Sequence, residues 1–272
     1  MYILAKVFDS FLLVLLLVLG IVPGSHQTTK NAYCDADYCE PGLPNVGCNP
    51  PPEAGGPACR GKQAFNANLT MFGQTIILHE HNKLRSLLAS GQLVPFAAAS
   101  RMPQLVWDIE LANQAAHNVR SCIFNHDECR NTEQFRFVGQ NIAYYRYTGA
   151  RKSLKDMLVK EIHLWWSEHN VTTQQQLDEY PSEAPEPKVG HFTQMVSDRT
   201  WKIGCSAQQW IDHSEYNVFY FLCNYSFSNM DGQSVYVKGK PASKCTTGEN
   251  NLYPGLCSIH ERIYSTPRAI LN

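Results

Sequence analysis

An α+β domain, with helices first and paired strands after them, is what this 272-residue sequence predicts. Three observations carry that prediction. Apolar residues recur at helical spacing in three segments between Phe65 and His169. Two strand-like runs follow between Lys202 and Tyr225, separated only by a polar turn. Helices and strands therefore come in separate blocks, which reads as a layered α+β domain and not as alternating βαβ units. With 44% hydrophobic and 17% charged residues, the chain has the composition of a folded protein with a real core.

The N-terminus sets the compartment. Lys6 is the lone positive charge near the start, Phe11 to Val22 runs apolar except for Gly20, and Val22-Pro23-Gly24-Ser25 supplies a turn and small residues. This pattern predicts a secretory signal peptide over residues 1–24 and an extracellular, secreted mature protein. The apolar run is about twelve residues, whereas a spanning helix needs about 20. No membrane span is expected elsewhere. The 23 basic and 24 acidic residues nearly balance, with no long basic run. A nucleic-acid partner is therefore not expected.

Residues 25–64 form a Cys-, Pro- and Gly-rich arm in which Asn49-Pro50-Pro51-Pro52 and Gly55-Gly56-Pro57 forbid helix or central strand. Such an arm needs bridges to stay ordered. Ten cysteines, an even number, permit five bridges, and the absence of C-x-x-C spacing argues against a redox motif or zinc ribbon. Sequons for N-glycosylation occur at Asn68, Asn170 and Asn224, the last inside an expected strand and so the least suited to use.

Ile77, Leu84 and Leu88, with His81 in the intervening turn, predict a first helix ending at Gly91. Residues 91–103, with Pro95 and Pro103, read as loop. Asp108 is an expected N-cap for a second helix with Leu111, Ala115 and Val119 as its stripe. A third helix is expected from Ser153 to His169, with Leu154, Leu158, Ile162 and Trp165 buried, and residues 180–190 read as loop. Ile203, Cys205 and Ala207 alternate with polar or small neighbours, and Val218 to Tyr225 is a continuous apolar run suited to burial on both faces. Joined by Asp212-His213-Ser214-Glu215, these two strands predict a hairpin, with a third strand expected at Ser234 to Val237. The domain proper spans 65–237. Residues 238–272 read as a C-terminal extension whose Cys245 and Cys257 could close a small disulfide loop.

Four segments in order carry a family likeness: His81-Asn82-Lys83-Leu84-Arg85, Val138-Gly139-Gln140-Asn141-Ile142-Ala143, Trp165-Trp166-Ser167-Glu168, and Gly190-His191-Phe192-Thr193-Gln194-Met195-Val196, with Phe221-Leu222-Cys223-Asn224-Tyr225 closing the hairpin. Together they resemble the CAP superfamily of cysteine-rich secretory proteins, antigen 5 and pathogenesis-related 1 proteins. Asn31-Ala32-Tyr33-Cys34 and the cysteines that follow are similar to insect antigen 5 proteins, and the Cys245–Cys257 tail resembles that of fly relatives. The resemblance implies a three-layer α-β-α sandwich, usually monomeric. It also implies bridges Cys34–Cys48, Cys39–Cys129, Cys59–Cys122 and Cys205–Cys223, which leaves Cys245–Cys257.

The resemblance further implies a cleft with two histidines and two acids. They map to His126, His191, Glu168 and position 140, where this chain has Gln140. Two imidazoles and a carboxylate are a candidate zinc set with an open position for water. An amide at 140 is a poor ligand and cannot act as a general base. Gln140 is common in the antigen 5 branch. Ser197 replaces a Trp frequent in the superfamily, and Tyr225-Ser226-Phe227-Ser228-Asn229 departs from its usual Gly-Pro-x-Gly-Asn continuation, so the local cleft shape should differ. His79-Glu80-His81 lacks the spacing of a helical zinc motif, and the chain has no G-x-S-x-G elbow and no Arg-Gly-Asp. Tyr144, Tyr145 and Tyr147 are expected to pack or to sit in a loop.

The expected function is a non-enzymatic binding module for a small apolar ligand, a sterol or fatty acid, with no cofactor required and zinc as a candidate. The alternatives are an effector that meets a protein target in saliva, venom or seminal fluid, and a weak metal-dependent hydrolase.

Overall fold

The computed structural model of the protein describes residues 31–34, 36–183, 186–212 and 214–267. The segment read as a signal peptide lies outside the described residues, as do Pro185 and His213 of the two polar loops.

The sheet is built on β6 (Asn217–Tyr225), flanked by antiparallel β5 (Lys202–Ile211) and β4 (Gly139–Tyr147). Two short strands, β1 (Phe65–Asn66) and β3 (Val106–Trp107), add to the other edge of β5. Side chains alternate across a strand, and β6 uses both faces. Phe219, Phe221, Cys223 and Tyr225 enter a core with Ile77, Leu84 and Leu88 of α1 (Met71–Ala89) and Leu158, Ile162 and Trp165 of α3 (Leu154–Trp166). Val218, Tyr220 and Leu222 enter a second core with Ala115 and Val119 of α2 (Ile109–Val119). The result is α2, sheet, then α1 with α3: a three-layer α-β-α sandwich. Gly204 allows α2 to lie directly on β5, because a Cβ there would come within 2.1 Å of the Ala112 backbone nitrogen.

Local signals place the helices. Asp108 accepts hydrogen bonds from Glu110 N and Leu111 N at the start of α2, and Ser153 accepts one from Asp156 N at the start of α3. Past the end of α1, Gly91 takes φ +80°, a conformation glycine adopts without strain. The third helix stops earlier than periodicity suggested. It ends at Trp166 and tightens into a 3-10 turn over Ser167–Asn170.

Several expectations change. The strand beside the hairpin is β4, and not Ser234–Val237. β4 has buried Asn141 and Gly139 among its inward positions, so no apolar alternation advertises it. Residues 234–237 instead plug the core with Val235 and Tyr236, held by hydrogen bonds from Val235 N to Leu177 O and from Val237 N to Asp198. Of the two placements expected for Tyr144, Tyr145 and Tyr147, packing is the one found: all three lie on β4, with Tyr147 in the core and Tyr145 packed against it. At the end of the segment read as loop, β2 (Met102–Pro103) pairs with β7 (Leu256–Cys257) of the extension, and two short helices form where no element was expected, α4 over Gln174–Asp178 and α5 over Gly190–Met195.

Five disulfides are present: Cys34–Cys48, Cys39–Cys129, Cys59–Cys122, Cys205–Cys223 and Cys245–Cys257. The second and third tie the arm to both ends of the segment 122–129. The fourth joins directly opposed residues of the hairpin. The C-terminal extension is held by Glu261. This buried carboxylate accepts from Arg101, from the backbone of Thr246 and Thr247, and from both threonine hydroxyls. These donors outweigh burial and hold its pKa down to about 2.

α1 buries four polar side chains, and two of them, Arg85 and His81, have no exposed surface. Arg85 donates to four carbonyls, those of Met195 (2.7 Å), Ser197 (3.0 Å), Pro103 (2.8 Å) and Thr200 (3.1 Å). His81 has Nδ1 2.8 Å from Ile77 O and Nε2 3.0 Å from the Tyr225 hydroxyl. The carbonyl can only accept, so Nδ1 carries the proton and Nε2 accepts from Tyr225.

Arg85→Met removes the donors of four buried carbonyls, and urea denaturation should show a loss of about 3–5 kcal/mol. Arg85→Lys should recover only part of it, because an ammonium cannot span the same fork. Burial pushes the pKa of His81 down to about 4. The folded pKa lies below the unfolded value, so the stability contributed by neutral His81 is full above about pH 6.5 and is lost as pH falls toward 4, on the order of 3 kcal/mol. Urea midpoints at pH 7 and pH 4 should therefore fall further in the wild type than in His81→Gln. An equal fall would place the acid sensitivity elsewhere.

Candidate functional site: a cleft with two histidine pairs

An open cleft of about 540 Å³ gathers His126, Gln140, Glu168 and His191 in one lining. Phe124, Ile142, Tyr180 and Val189 supply much of its apolar wall. Each polar group arrives from a different element. His126 rides on the segment clamped at Cys122 and Cys129, Gln140 is the second residue of β4, Glu168 lies in the turn after α3, and His191 is the second residue of α5.

The four form two pairs. His191 Nδ1 lies 2.7 Å from Glu168 Oε1, and Glu168 Oε2 accepts from the backbone nitrogens of His191 and Phe192. Trp165 stacks on the His191 ring at a centroid distance of 6.0 Å and bonds through its indole nitrogen to Ile142 O. Glu168 thus orients His191, with both of its oxygens engaged.

His126 Nδ1 lies 2.6 Å from Gln140 Oε1. The amide orientation is set by its other end, because Gln140 Nε2 donates 2.9 Å to Asp127 Oδ2 and 2.9 Å to Asn224 Oδ1. An ionised carboxylate can only accept, so the amide oxygen faces His126 and the imidazole proton sits on Nδ1. Asp127 also accepts from Asn118 Nδ2 and pairs with Arg130, and Asn118 accepts from Tyr220. His126 is exposed as a residue, yet its ring is crowded by the cleft wall. That desolvation lowers its pKa, helped by Arg130 and His191 and opposed by Gln140 and Asp127.

Both imidazoles therefore hold their proton at Nδ1 toward an oxygen and keep Nε2 as a lone pair, the arrangement in which a histidine is ready to bind a metal. Both imidazoles line the one cleft, each with Nδ1 engaged by its own oxygen partner. The arrangement does not fit the set His126, His191 and Glu168 expected from sequence, because Glu168 is committed to His191 and the backbone beside it. No group of three His, Cys, Asp or Glu is placed to hold a metal among the described residues. Ser228 lies in the lining, but no hydrogen bond joins it to either imidazole.

Asp127, Asn118 and Asn224 are site residues that sequence reasoning missed. Asp127 adjoins His126 in the chain, and that adjacency was the available signal. Asn224 enters only through the register that sets it opposite Gln140. It is fully buried and donates to Leu111 O, which leaves no room for a glycan in the folded protein. Asn68 and Asn170 are exposed.

Gln140→Glu places a carboxylate against Asp127 and beside His126. The imidazolium gains an anionic partner, so the His126 pKa should rise by about one unit or more. Proton NMR titration of the ring resonances measures it. An unchanged value would mean that the two side chains do not meet in solution.

Comparison with known proteins agrees with this architecture. Residues 78–225 match the CAP family, described as the cysteine-rich secretory protein family. The chain is 45% identical over 233 residues to Venom allergen-1 of Aedes albopictus, covering 86% of this chain and 90% of that protein. It is 39% identical over 148 residues to the antigen 5 like allergen Cul n 1 of Culicoides nubeculosus, covering 54% and 65%. Among solved structures, NaASP2 with Zn2+ matches at a TM-score of 0.59 and 28% identity, over 70% of this chain and 96% of that one. BmVAL-1 matches at 0.60 and 27%, over 73% and 97%. No helix among the described residues is long and apolar enough to cross a membrane. With the sandwich, the paired histidines and these relatives together, the chain belongs to the CAP family, on its venom allergen and antigen 5-like side.

Proposed function

We propose that this chain is a secreted, non-enzymatic binding module whose cleft takes a small apolar ligand with one polar end, of the sterol or fatty-acid class. The observation that carries the reading is how the cleft spends its polar groups. Gln140 and Glu168 each orient one histidine, and neither is left over as an acid–base partner. Phe124, Ile142, Tyr180 and Val189 offer apolar wall around them. Such a cavity suits retention, with a few placed polar groups fixing orientation. Hydrolysis is the weaker reading, because an amide stands where a general base would be needed. In this reading the chain is organised as signal peptide 1–24, arm 25–64, domain 65–237 and extension 238–272.

A second reading is favoured by the two free Nε2 lone pairs. His126 and His191 would hold zinc, which supplies Lewis acidity and a coordination point for an anionic head group. NaASP2, a fold relative, has been solved with Zn2+. Imidazole protonation competes with metal, so affinity in this reading falls as pH drops.

Native mass spectrometry of the secreted, glycan-trimmed protein, before and after zinc and a long-chain fatty acid, tests both readings. A co-purified apolar mass or one-to-one uptake of the fatty acid is expected, weakened about tenfold or more by Phe124→Asp. Uptake unchanged in that variant would move the ligand out of the cleft. A bare mass that also ignores zinc would remove both readings.

A further inference from the structure

Where β4 runs into α3, four basic residues fall between positions 151 and 160, namely Arg151, Lys152, Lys155 and Lys160, and all four are exposed. Aromatic rings hold three of them. Lys152 Nζ and Lys160 Nζ sit over the same Tyr145 ring, 5.4 Å and 3.4 Å from its centroid, and Lys152 also lies 5.6 Å from Tyr147. Tyr145 and Tyr147 stack on each other at 5.3 Å, and Arg151 lies 4.6 Å over Phe65 of β1. Two like charges shared by one ring repel each other, and the ring quadrupole offsets that repulsion only in part. The first turn of α3 adds its own positive end, where cations are normally disfavoured. Nearby acids relieve this incompletely. Glu161 pairs with Lys160 but is buried, and Asp156 is the acidic residue in the first turn of α3. In a chain with net charge −1 this concentration is not a by-product of composition.

Folding stability does not account for four cations on the first two turns of α3 and the residues just before it. Charge complementarity accounts for them if the partner carries closely spaced fixed anions along a chain. We propose that this face docks a sulfated polysaccharide of the glycosaminoglycan class. The sulfates pair with Arg151, Lys152, Lys155 and Lys160, and the Tyr145–Tyr147 platform holds two of these cations in place. The partner is a polyanion and not a single ion because the cations spread from β1 across the loop to the second turn of α3. The site is separate from the histidine cleft and does not depend on how that cleft is used.

The test is retention of the full mature protein on immobilised heparin as a function of NaCl, with surface plasmon resonance for affinity. The expected result is specific retention near physiological salt. Affinity should fall at least tenfold in Arg151→Ala/Lys152→Ala/Lys160→Ala, and the dependence of log K on log salt should flatten by about one for each cation removed. A control that removes cations elsewhere, Lys240→Ala/Lys244→Ala, should bind as the wild type does. Because the triple variant is confined to exposed side chains, its circular dichroism and urea midpoint check that it remains folded. Fully desulfated heparin should not bind. Any one of three results overturns the proposal: no retention of the wild type, equal retention of the triple variant, or equal binding of the desulfated polymer. Binding to phosphatidylserine vesicles with no binding to heparin overturns it too, by making the partner a membrane.

Discussion

The fold turns on one buried cation. Arg85 leaves the C-terminal part of α1 and closes on carbonyls from β2, from the end of α5 and the residues after it, and from the entry to β5. Ser197 and Thr200 lie in irregular backbone, and Met195 and Pro103 each end a short element; buried carbonyls without donors are costly. Burial lowers the pKa of Arg85 to about 9, with Asp198 opposing the shift, so the side chain stays charged at neutral pH and its donors remain available. α5 carries His191 at its second position, so the clamp that orders the core also sets one wall of the cleft. The neighbouring His81–Tyr225–Asn141 chain extends that control. Asn141 donates to His191 O and to the Tyr225 hydroxyl, which ties the histidine to the sheet.

The other wall has a separate anchor. His126 lies in an irregular segment with little regular structure of its own, and the arm holds it. Cys39–Cys129 and Cys59–Cys122 fasten the two ends of that segment, and Val46 N bonds to Cys129 O between them. The bridges thus do more than compensate for a Pro-rich arm. They give a loop histidine the positional stability that a helix gives His191. The Gln140 amide then relays between His126 and Asp127, so the carboxylate missing at position 140 has a counterpart one bond network further out.

Much of this was legible from residues alone. Helical periodicity marked α1, α2 and α3, and Asp108 and Ser153 marked where two of them start, because a cap and an apolar stripe are local signals. The two-sided burial of β6 followed from its unbroken apolar run. β4 was not legible. Its inward residues include Asn141 and Gly139, chosen for a hydrogen bond and for space, and Gly139 leaves no room for a Cβ beside Gln194. The extra strand expected at Ser234–Val237 reflected apolar composition that in fact fills the core. Composition reports burial and is silent about pairing.

The sequence by itself determined the layered class, the three main helices, the hairpin and the set of residues from which the cleft is drawn. The class, the helices and the hairpin rest on contacts within a few residues or on periodicity that a single segment carries, whereas the cleft residues were picked out by the resemblance to the CAP superfamily. Only the tertiary structure decided what those residues do. It assigned Glu168 to His191 and Gln140 to His126, recruited Asp127 and Asn224, and buried the Asn224 sequon. It also gathered Arg151, Lys152 and Lys160 around aromatic rings from β1 and β4, though the chain contains no long basic run. The physical reason is the same throughout: hydrogen bonds and charge clusters depend on distances of a few ångströms between segments, and those distances exist only after the sheet has set its register.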